Sequence, residues 1–489
     1  MRLLSFLILI LLFISCEEKE KEASDRLNVI FILSDDHRYD FMGFTGKVPF
    51  LKTPGMDRMA AEGVHIKNAF VSTSLCSPSR ASILTGQYTH HHGVIDNQSA
   101  IADSVIFFPE YLQQQGYETA FLGKWHMGEH HANPRKGFDH WVSFTGQGVY
   151  YNPTLNINGE VKKYTDSAYI SDLLTEYALE FLDTRKADKP FFMYLSHKGV
   201  HSEFAPARRH DNIYLNELVA YPPSMFPPGN ERAQDSIKYN YDDLPQWVKD
   251  QRHSWHGVDY MYHGAISFEN FYKKYCETLL GVDESVQAVL NYLDKHDMMK
   301  NTIVFYMGDN GFSFGEHGLI DKRQAYEESM RVPLLAMGGG LENGVLTQNI
   351  QNIDIGPTIL DLAGIDTPGN MDGRSFKPLL QGESIVWRDT LYYEYFWERP
   401  FPQTPTVFAV RTNKYKYIRY HGVWDINELY DLEHDPLEMN NLIRSEAHQQ
   451  IANELNEAIF AWLEKTKGMQ MPLRKDQGKR FDNKFSGTY

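Results

Sequence analysis

The sequence is poor in several features that would point to particular protein classes. Lysine and arginine number 48 against 64 acidic residues, which gives a net charge of −16. This balance argues against nucleic acid as a partner, because phosphate binding needs a surplus of basic residues; a local basic pocket for a polyanionic substrate stays open. No apolar run reaches the roughly 20 residues of a membrane span. With 42% hydrophobic and 13% aromatic residues, the composition is that of an ordinary globular protein.

The first 16 residues, MRLLSFLILILLFISC, carry the pattern of an export signal. An apolar run from Leu3 to Ile14 is too short to span a membrane and fits the core of a signal peptide. Cys16 follows a small residue, as in bacterial lipoprotein signals, so we expect it to be lipidated, with 17–26 as a flexible tether. Plain secretion with cleavage nearby is the alternative. Both readings predict an exported bacterial protein, in the periplasm or anchored at the outer membrane.

The other two of the three cysteines have very different surroundings. Cys76 stands in LCSPSRASILTG (75–86), among hydroxyls, a proline and a guanidinium, whereas a structural cysteine prefers apolar neighbours. Cys276 lies in the helical-looking stretch 269–293 and is expected to be a buried bystander. A disulfide between Cys76 and Cys276 is an alternative that the sequence leaves open.

Strand-like and helix-like segments alternate along the chain. The apolar runs typical of strands buried on both faces are NVIFILSDD (28–36), TAFLGKWHMG (119–128), FFMYLSHKGVH (191–201), TIVFYMGDN (302–310) and VPLLAMGGG (332–340). Amphipathic stretches typical of helices lie at 53–62, 107–115, 171–186 and 269–298. Because buried strands that alternate with helices form parallel sheets, the pattern predicts an α/β fold with a mostly parallel central sheet flanked by helices.

Four of these five runs end in polar residues that are capable of chemistry. They are Asp35 and Asp36, Lys124 and His126, His197 and His201, and Asp309 and Asn310. In parallel α/β sheets the ligand site lies beyond the carboxyl ends of the strands. We therefore expect these widely separated side chains to meet at one edge of the sheet.

Two regions depart from the alternation. Residues 208–262 are rich in Tyr, Trp, His and Pro and show no clean period, which predicts an insertion that either contributes to function or merely packs over the surface. Further on, LYYEYFW and FAVRTNKYKYIRY indicate antiparallel strands, with a helix near 445–465. We predict a catalytic domain over 27–388 and a smaller α+β domain with an antiparallel sheet, plus a polar tail, over 389–489.

The segment from Cys76 to Arg80 matches the C-x-P-x-R motif of the sulfatase family. Other matching elements are the SDD turn after the first strand, GKWHMG, SHKGVH, GDNG, GEHGLIDKRQAYEESMRVPL and the ending ELYDLEHDPLEMNNL. From about Asn28 to its C-terminus, the chain therefore resembles formylglycine-dependent sulfatases. The resemblance implies an alkaline-phosphatase-like catalytic domain that hydrolyses sulfate esters.

The resemblance also implies a fate for Cys76. In this family a maturation enzyme oxidises the motif cysteine to formylglycine, an aldehyde. Its hydrate offers one hydroxyl that attacks sulfur, while the other later expels sulfate as the carbonyl re-forms. Cys76 would then not act as a thiol at all.

A metal ion is the second implied component. Hard oxygen ligands at strand ends suit Ca²⁺ or Mg²⁺ rather than zinc. By resemblance the ion is Ca²⁺ rather than Mg²⁺, and the formylglycine oxygen and the substrate sulfate complete its coordination. The candidate ligands are Asp35, Asp36, Cys76 (as formylglycine), Asp309 and Asn310.

Basic residues complete the expected catalytic set. Arg80 falls one helical turn after the motif cysteine and can lie on the same face, and Lys124 and His126 are two apart on a strand-like run, hence on one side. In the family the lysine bridges aldehyde and sulfate, and the histidine is the base that collapses the diol. By resemblance His201 and Lys322 contact the ester oxygen and the sulfate, with His201 the candidate acid for the leaving alcohol.

Further residues are candidates for substrate binding. The family often has proline before the second histidine, where this chain has Val200, so His197 stays an alternative to His201. His317, in GEHG, either reaches substrate or holds its loop. The insertion adds residues that either meet a sulfated sugar or anchor the loop: Arg208, Arg209, His253, Trp255 and His256.

The sequence thus predicts an exported sulfatase that acts on a sulfated polysaccharide or its oligosaccharides, for example ulvan or another algal glycan; animal glycosaminoglycans are also compatible. One alternative is a phosphonate or phosphate ester hydrolase, because such enzymes of the alkaline phosphatase superfamily share the metal site. Another is a surface lipoprotein that binds sulfated glycan without turnover. The last is disfavoured because every expected catalytic position is filled.

Overall fold

The computed structural model describes residues 26–128, 131–233, 238–261 and 267–472. The predicted signal segment with Cys16, nearly all of the tether and the end of the tail lie outside the described residues. The strands are β1 (Asn28–Ser34), β2 (Val64–Ile66), β3 (Ala69–Phe70), β4 (Glu118–Lys124), β5 (His140–Phe144), β6 (Thr154–Ile157), β7 (Glu160–Lys163), β8 (Phe191–Ser196), β9 (Thr302–Gly308), β10 (Ser313–Phe314), β11 (Ile320–Asp321), β12 (Leu334–Gly338), β13 (Gly344–Leu346), β14 (Ile350–Gln351), β15 (Leu391–Tyr395), β16 (Thr406–Arg411), β17 (Tyr415–His421) and β18 (Glu428–Asp431). The helices are α1 (Pro54–Glu62), α2 (Cys76–Thr85), α3 (Thr89–His92), α4 (Phe108–Gln114), α5 (Ile170–Thr184), α6 (Gln246–Gln251), α7 (Phe268–Lys295), α8 (Glu327–Met330), α9 (Ile355–Leu362), α10 (Lys377–Leu380) and α11 (Gln449–Lys465).

One large sheet has the strand order β13-β2-β12-β9-β1-β8-β4-β5-β6-β7. Its centre is parallel from β9 to β5, and its flanks are antiparallel at β12–β9 and at β5-β6-β7. The predicted α/β fold with a mostly parallel central sheet is confirmed. The parallel placement of VPLLAMGGG is wrong, since β12 runs antiparallel to β9. Burial on both faces does not reveal the direction of a strand, and the chain after β9 returns without a long crossover helix.

Side chains of the central strands feed two hydrophobic clusters, one on each face of the sheet. In β1, Val29, Phe31 and Leu33 pack into one cluster, and Ile30 and Ile32 pack into the other. Helices α2, α4 and α9 contribute to the first cluster, and α1, α5 and α7 to the second. Because helices cover both faces, the central strands are continuous apolar runs rather than alternating ones.

The C-terminal part forms a separate sheet in the order β15-β16-β17-β18, antiparallel throughout. Helix α11 packs on this sheet through Ile459, Trp462 and Leu463, and the Trp462 ring stacks on Tyr392 with centroids 4.8 Å apart. The predicted smaller α+β part with an antiparallel sheet is confirmed. Its boundary at position 389 stays a prediction.

The predicted insertion at 208–262 consists, where described, mainly of turns and contains α6. Trp247 packs on Tyr420 of β17, with ring centroids 5.2 Å apart. Gly257 forms an isolated bridge with Leu319, in the loops after β9. The insertion therefore connects the second sheet to the loops at the carboxyl edge of the large one.

Two further expectations concern the cysteines and the membrane. Cys76 and Cys276 are both buried and free, so the alternative of a disulfide between them is wrong; Cys276 packs inside α7 as a bystander. Among the helices of the described ranges, none is long and apolar enough to cross a membrane.

Candidate active site

The carboxyl ends of β9, β1, β8 and β4 lie side by side, and the polar residues after them meet there. Asp35 and Asp36 directly follow β1. Neighbouring side chains of an extended strand point to opposite faces, but Asp36 has a left-handed backbone with φ of 53°. Both carboxylates consequently approach the same atom, Cys76 Sγ, at 3.3 Å and 3.8 Å.

Asp309 and Asn310, which follow β9, join this pair. Asp309 Oδ1 accepts a hydrogen bond of 2.9 Å from the backbone N–H of Asp36, and Asn310 Nδ2 donates one of 2.7 Å to Asp36 Oδ1. All four residues are 0% exposed. Candidate ligand atoms of Asp35, Asp36 and Cys76 lie within 4.8 Å of one another. The strand ends thus form a buried cluster rich in oxygen atoms.

The donor set of this cluster fits a hard divalent cation such as Ca²⁺ or Mg²⁺. Carboxylate and amide oxygens are the ligands that these ions prefer. Asn310 Oδ1 is buried and has no hydrogen-bond partner among the described residues, which is unusual for a polar atom in a protein interior. A buried carboxamide oxygen in this acidic cluster that receives no hydrogen bond is well suited to bind a cation.

The pKa values of the carboxyl groups also favour a cation site. Burial raises the pKa of Asp309 to about 7, and the negative Asp35 adds to the effect. Burial also acts on Asp35, but the positive charges headed by Lys124 outweigh it and hold the pKa of Asp35 well below its usual range. A bound divalent cation would favour the ionised form of all these carboxyls.

Cys76 is the first residue of α2, and Arg80 lies one turn further on. The pKa of the Cys76 thiol is raised well above its usual range, first by burial and then by Asp35, so the thiol is neutral and a weak nucleophile. Arg80 donates through Nε to Asp309 Oδ2 and through Nη1 to Lys124 O, both at 2.8 Å. The start of α2 is thereby tied to the ends of β9 and β4.

Lys124 ends β4, and Gly123 before it decides how closely β4 approaches β8. Gly123 has φ of 124°, and a Cβ atom there would lie 1.8 Å from the carbonyl oxygen of Ser196. Only glycine tolerates both conditions. The Lys124 ammonium pairs with Asp35 and donates to Gln147 Oε1 at 2.5 Å. The second lysine of the site, Lys322, has its Nζ 2.5 Å from Asp36 Oδ1.

The histidines named from the sequence are placed differently. His126 Nδ1 lies 3.1 Å from Ser77 Oγ, beside the start of α2. His201 lines a cavity at the site, whereas His197 is 0% exposed and, among the described residues, neither of its ring nitrogens is hydrogen-bonded. Burial lowers the pKa of His197 to about 3. The placement favours His201 over His197 as the histidine that faces a substrate.

The cavity beside the cluster has a volume of about 680 Å³, within the usual range for small-molecule sites. Besides Lys322 and His201, its wall contains residues that the sequence analysis missed: Gln147, Tyr150, Lys198, Asp321, Arg323, Glu398 and Phe401. Arg323 Nε lies 2.6 Å from Glu398 Oε1, and its guanidinium lies 4.2 Å above the Phe401 ring. The second domain therefore contributes part of the wall. Asp321 and Arg323 flank Lys322 in the sequence, and this adjacency would have been enough to name them as site candidates. Glu398 and Phe401 stand in no motif that would point to the site.

His256 and His317 have contrasting positions. His256, from the insertion, lines the cavity and stacks on Phe401 with ring centroids 5.0 Å apart. His317 is 1% exposed, stacks on Tyr326 at 4.2 Å and lies 3.3 Å from the Tyr239 hydroxyl. It is not among the lining residues of the cavity, and its contacts hold the loop after β10.

The other insertion candidates lie away from this cavity. Arg208 lines a neighbouring cavity of about 500 Å³, and Arg209 is paired with two surface carboxylates. His253 is exposed beside Asp259, and Trp255 packs near Tyr260. A role for these residues in substrate binding stays a prediction.

The strand order, the cluster at the strand ends and the adjoining cavity define a hydrolase of the alkaline phosphatase-like superfamily. A solved structure superposes with a TM-score of 0.82 at 29% sequence identity, covering 92% of this chain and 100% of the other; it holds its substrate, D-glucosamine-2-N,6-O-disulfate.

Sequence comparison narrows the class. The profile of the Sulfatase family matches residues 27–365, and that of "N-sulphoglucosamine sulphohydrolase, C-terminal" matches 315–465. An N-acetylglucosamine-6-O-sulfatase of Bacteroides thetaiotaomicron is 33% identical over 91% of this chain and 88% of its own length. The N-acetylglucosamine-6-sulfatase of Homo sapiens is 34% identical over 76% of this chain and 67% of its own length. The chain belongs to the sulfatase family and is a sulfuric ester hydrolase, as predicted.

Proposed function

We propose that this sulfatase removes the 6-O-sulfate from glucosamine-type sugars of a sulfated glycan. The observation that carries the proposal is the buried cluster of Asp35, Asp36 and Cys76 beside a cavity of about 680 Å³, a size suited to a sulfated sugar. Support for the sugar comes from the two relatives named for N-acetylglucosamine 6-sulfate and from the solved neighbour, whose substrate carries a 6-O-sulfate. Ulvan and other algal glycans stay a second candidate.

Within this proposal, Cys76 is converted to formylglycine, whose hydrate supplies the hydroxyl that attacks sulfur and the means to release sulfate. Ca²⁺ would supply charge stabilisation for the sulfate oxygens. Its ligands would be Asp35, Asp36, Asp309 and Asn310, with residue 76.

The basic residues have distinct tasks in the proposed reaction. Arg80 holds the start of α2 against Asp309 and so fixes the position of residue 76. Lys124 and Lys322 present positive charge where the sulfate oxygens develop negative charge. His126 takes the proton from residue 76.

His201 gives a proton to the leaving alcohol in the proposed reaction. Burial, with Lys124 as the next cause, holds the pKa of His201 well below its usual range. The negative charge of a bound sulfate would counter Lys124 and favour the protonated imidazole. Substrate binding would therefore prepare the acid.

The proposal includes export, to the periplasm or to the cell surface as a lipoprotein, which rests on the composition of residues 1–16. In the native host, labelled fatty acid should be incorporated at Cys16 and lost in Cys16→Ser. Incorporation that persists in that variant would exclude this anchor.

The reaction is tested with protein coexpressed with a formylglycine-generating enzyme, after peptide mass analysis of position 76. The panel comprises N-acetylglucosamine-6-sulfate, N-acetylgalactosamine-4-sulfate, ulvan oligosaccharides and an aryl phosphonate. We expect 6-O-desulfation to dominate and to fall at least about 10³-fold in Cys76→Ala, while the matched control Cys276→Ala retains turnover. Faster cleavage of the ulvan oligosaccharides or of the aryl phosphonate would overturn the proposed substrate assignment. No turnover at all, with the aldehyde confirmed, would favour a glycan-binding protein.

A further inference from the structure

Lys198 lies in the wall of the cavity, between the two histidines of SHKGVH. It is 4% exposed and lines the cavity together with His201 and Lys322. Its Nζ stands 4.6 Å from the centre of the Tyr150 ring. The Tyr150 hydroxyl in turn donates a hydrogen bond of 2.5 Å to His201 O. A rigid aromatic face therefore holds the ammonium of Lys198 at the cavity.

The other cations of the site are each committed to a carboxylate. The pairs are Lys124–Asp35, Lys322–Asp36, Arg80–Asp309 and Arg323–Glu398. Lys198 differs from them: within the part of the chain that the structure describes, its ammonium makes neither an ion pair nor a hydrogen bond. Glu203, on the same wall, is exposed and forms no ion pair with it.

A buried ammonium without a counter-ion is unfavourable. The cation–π contact with Tyr150 attracts the ammonium, but it brings no negative charge that would offset the loss of solvation. The pKa of Lys198 is lowered to about 8, first by burial and then by the positive Lys124, against the opposing effect of Asp35 and Asp36. An anion that enters the cavity would relieve this imbalance.

We propose that Lys198 binds a second anionic group of the substrate, distinct from the scissile sulfate, and so selects doubly charged sugars over singly charged ones. The occupant is a sulfate or carboxylate carried by the sugar, with an N-sulfate on the same ring as the form tested first. This inference rests on the proposed function, because it takes the sugar and its 6-O-sulfate from there.

The test compares Lys198→Met, which keeps an apolar stem over Tyr150, and Lys198→Arg with the wild type. The substrates are N-acetylglucosamine-6-sulfate, with one anionic group, and glucosamine-2-N,6-O-disulfate, with two. Because a hydrogen bond to a charged group contributes about 1.5–3 kcal/mol, Lys198→Met should lose roughly 10- to 100-fold in kcat/KM on the disulfate and a clearly smaller factor on the monosulfate. Lys198→Arg should keep most of the preference. Lys162→Met is the matched control, since Lys162 also lies over a tyrosine ring, at 4.7 Å from the centre of Tyr164, but away from the cavity.

Binding measured by calorimetry in a Cys76→Ala background separates this inference from the proposed function, because it requires no turnover. Tighter binding of the disulfate that disappears with Lys198→Met supports the inference. Equal losses on both sugars would assign Lys198 to the scissile sulfate and overturn it, as would no loss on either. If the disulfate binds in this manner but position 6 is never hydrolysed, the proposed function fails while the binding site stands. A uronic acid-containing 6-O-sulfated disaccharide then distinguishes a carboxylate source from an N-sulfate.

Discussion

Two buried charge clusters in this protein look alike in composition and differ in what surrounds them. The catalytic cluster, so called after the proposed reaction, comprises Asp35, Asp36, Asp309, Arg80, Lys124 and Lys322. The interface cluster, between α8 and the second sheet, comprises Glu327, Glu438, Arg411 and Lys416. Each of these residues is at most 8% exposed, and in each cluster carboxylates are matched by cations.

In the interface cluster the charges are turned towards one another. Lys416 Nζ lies 2.9 Å from Glu327 Oε1 and 2.7 Å from Glu438 Oε1, and Arg411 Nε lies 2.8 Å from Glu327 Oε1. None of these residues lines the cavity beside Cys76. In the catalytic cluster the charges converge on Cys76 at the start of a helix, next to that cavity. Buried charge alone therefore does not mark a functional site, whereas convergence on a cavity does.

The largest expected effect is a loss of stability on breaking the interface cluster. Lys416→Met removes the cation shared by Glu327 and Glu438 and leaves buried carboxylates without it, which should lower the free energy of unfolding by about 3 kcal/mol. Urea denaturation measures the loss, and turnover per folded molecule should be unchanged. A stable variant with reduced kcat would mean that the two clusters are coupled.

Asn310→Ala sharpens the comparison on the catalytic side. Removal of the amide oxygen that lacks a donor should weaken Ca²⁺ binding roughly 10- to 100-fold. The readout is the rise in thermal midpoint on adding Ca²⁺, which needs no substrate. Asn441→Ala is the control, because Asn441 accepts from Leu429 N–H and donates to Asp243 O, both at 2.9 Å, in the second domain. An equal Ca²⁺ response in wild type and Asn310→Ala would contradict the assignment of this ligand.

Acid should destabilise the fold at His92, the buried last residue of α3. Burial, with His90 next, lowers the pKa of His92 to about 3, and its Nδ1 accepts from the Val94 N–H at 3.1 Å. Because the unfolded state binds the proton near pH 6.5 and the folded state does not, stability falls as pH drops through this window, by about 1–2 kcal/mol between pH 7.5 and pH 5.

His92→Gln should flatten this part of the curve of unfolding free energy against pH. The exposed His253, changed to glutamine, serves as the control and should leave the curve as it is. An unchanged slope in His92→Gln would show that other groups carry the acid sensitivity.

The smallest effect is expected at Arg209. Its guanidinium lies 2.7 Å from Asp172 Oδ1 and 2.8 Å from Glu284 Oε2, and all three side chains are about 40% exposed. Exposed pairs of this kind contribute about 1 kcal/mol or less, so Arg209→Ala should barely move the thermal midpoint and should leave KM unchanged. A raised KM would bring the insertion back into substrate binding.

Much of the catalytic cluster could be predicted because it follows from strand ends. Asp35, Lys124 and Asp309 stand directly after continuous apolar runs, and parallel strands deliver their carboxyl ends to one edge. The helical spacing of Arg80 from Cys76 is equally local. Such features survive in the sequence because each depends on the few residues around it.

The parts that could not be predicted depend on contacts between distant segments. Glu398 and Phe401 reach the cavity only because the second sheet docks beside the first, and no local pattern encodes docking. From the sequence, Arg209 and His256 are equally plausible substrate ligands, because both stand in a segment rich in basic and aromatic residues. In the structure, Arg209 pairs with surface carboxylates, whereas His256 stacks on Phe401 at the cavity. Nothing in the sequence singles out Lys198 between the two histidines of SHKGVH, since the absence of an ion-pair partner is visible only in three dimensions.

The close approach of β4 to β8 at Gly123 has a practical consequence for directed evolution. Any methyl group there would collide with the Ser196 carbonyl and displace the ammonium one residue later, whichever sugar is offered. Libraries that randomise this stretch and are selected for new substrates should therefore return the same codon family at position 123 every time. The fraction of recovered clones with glycine at position 123 would therefore measure how stringent the selection has been.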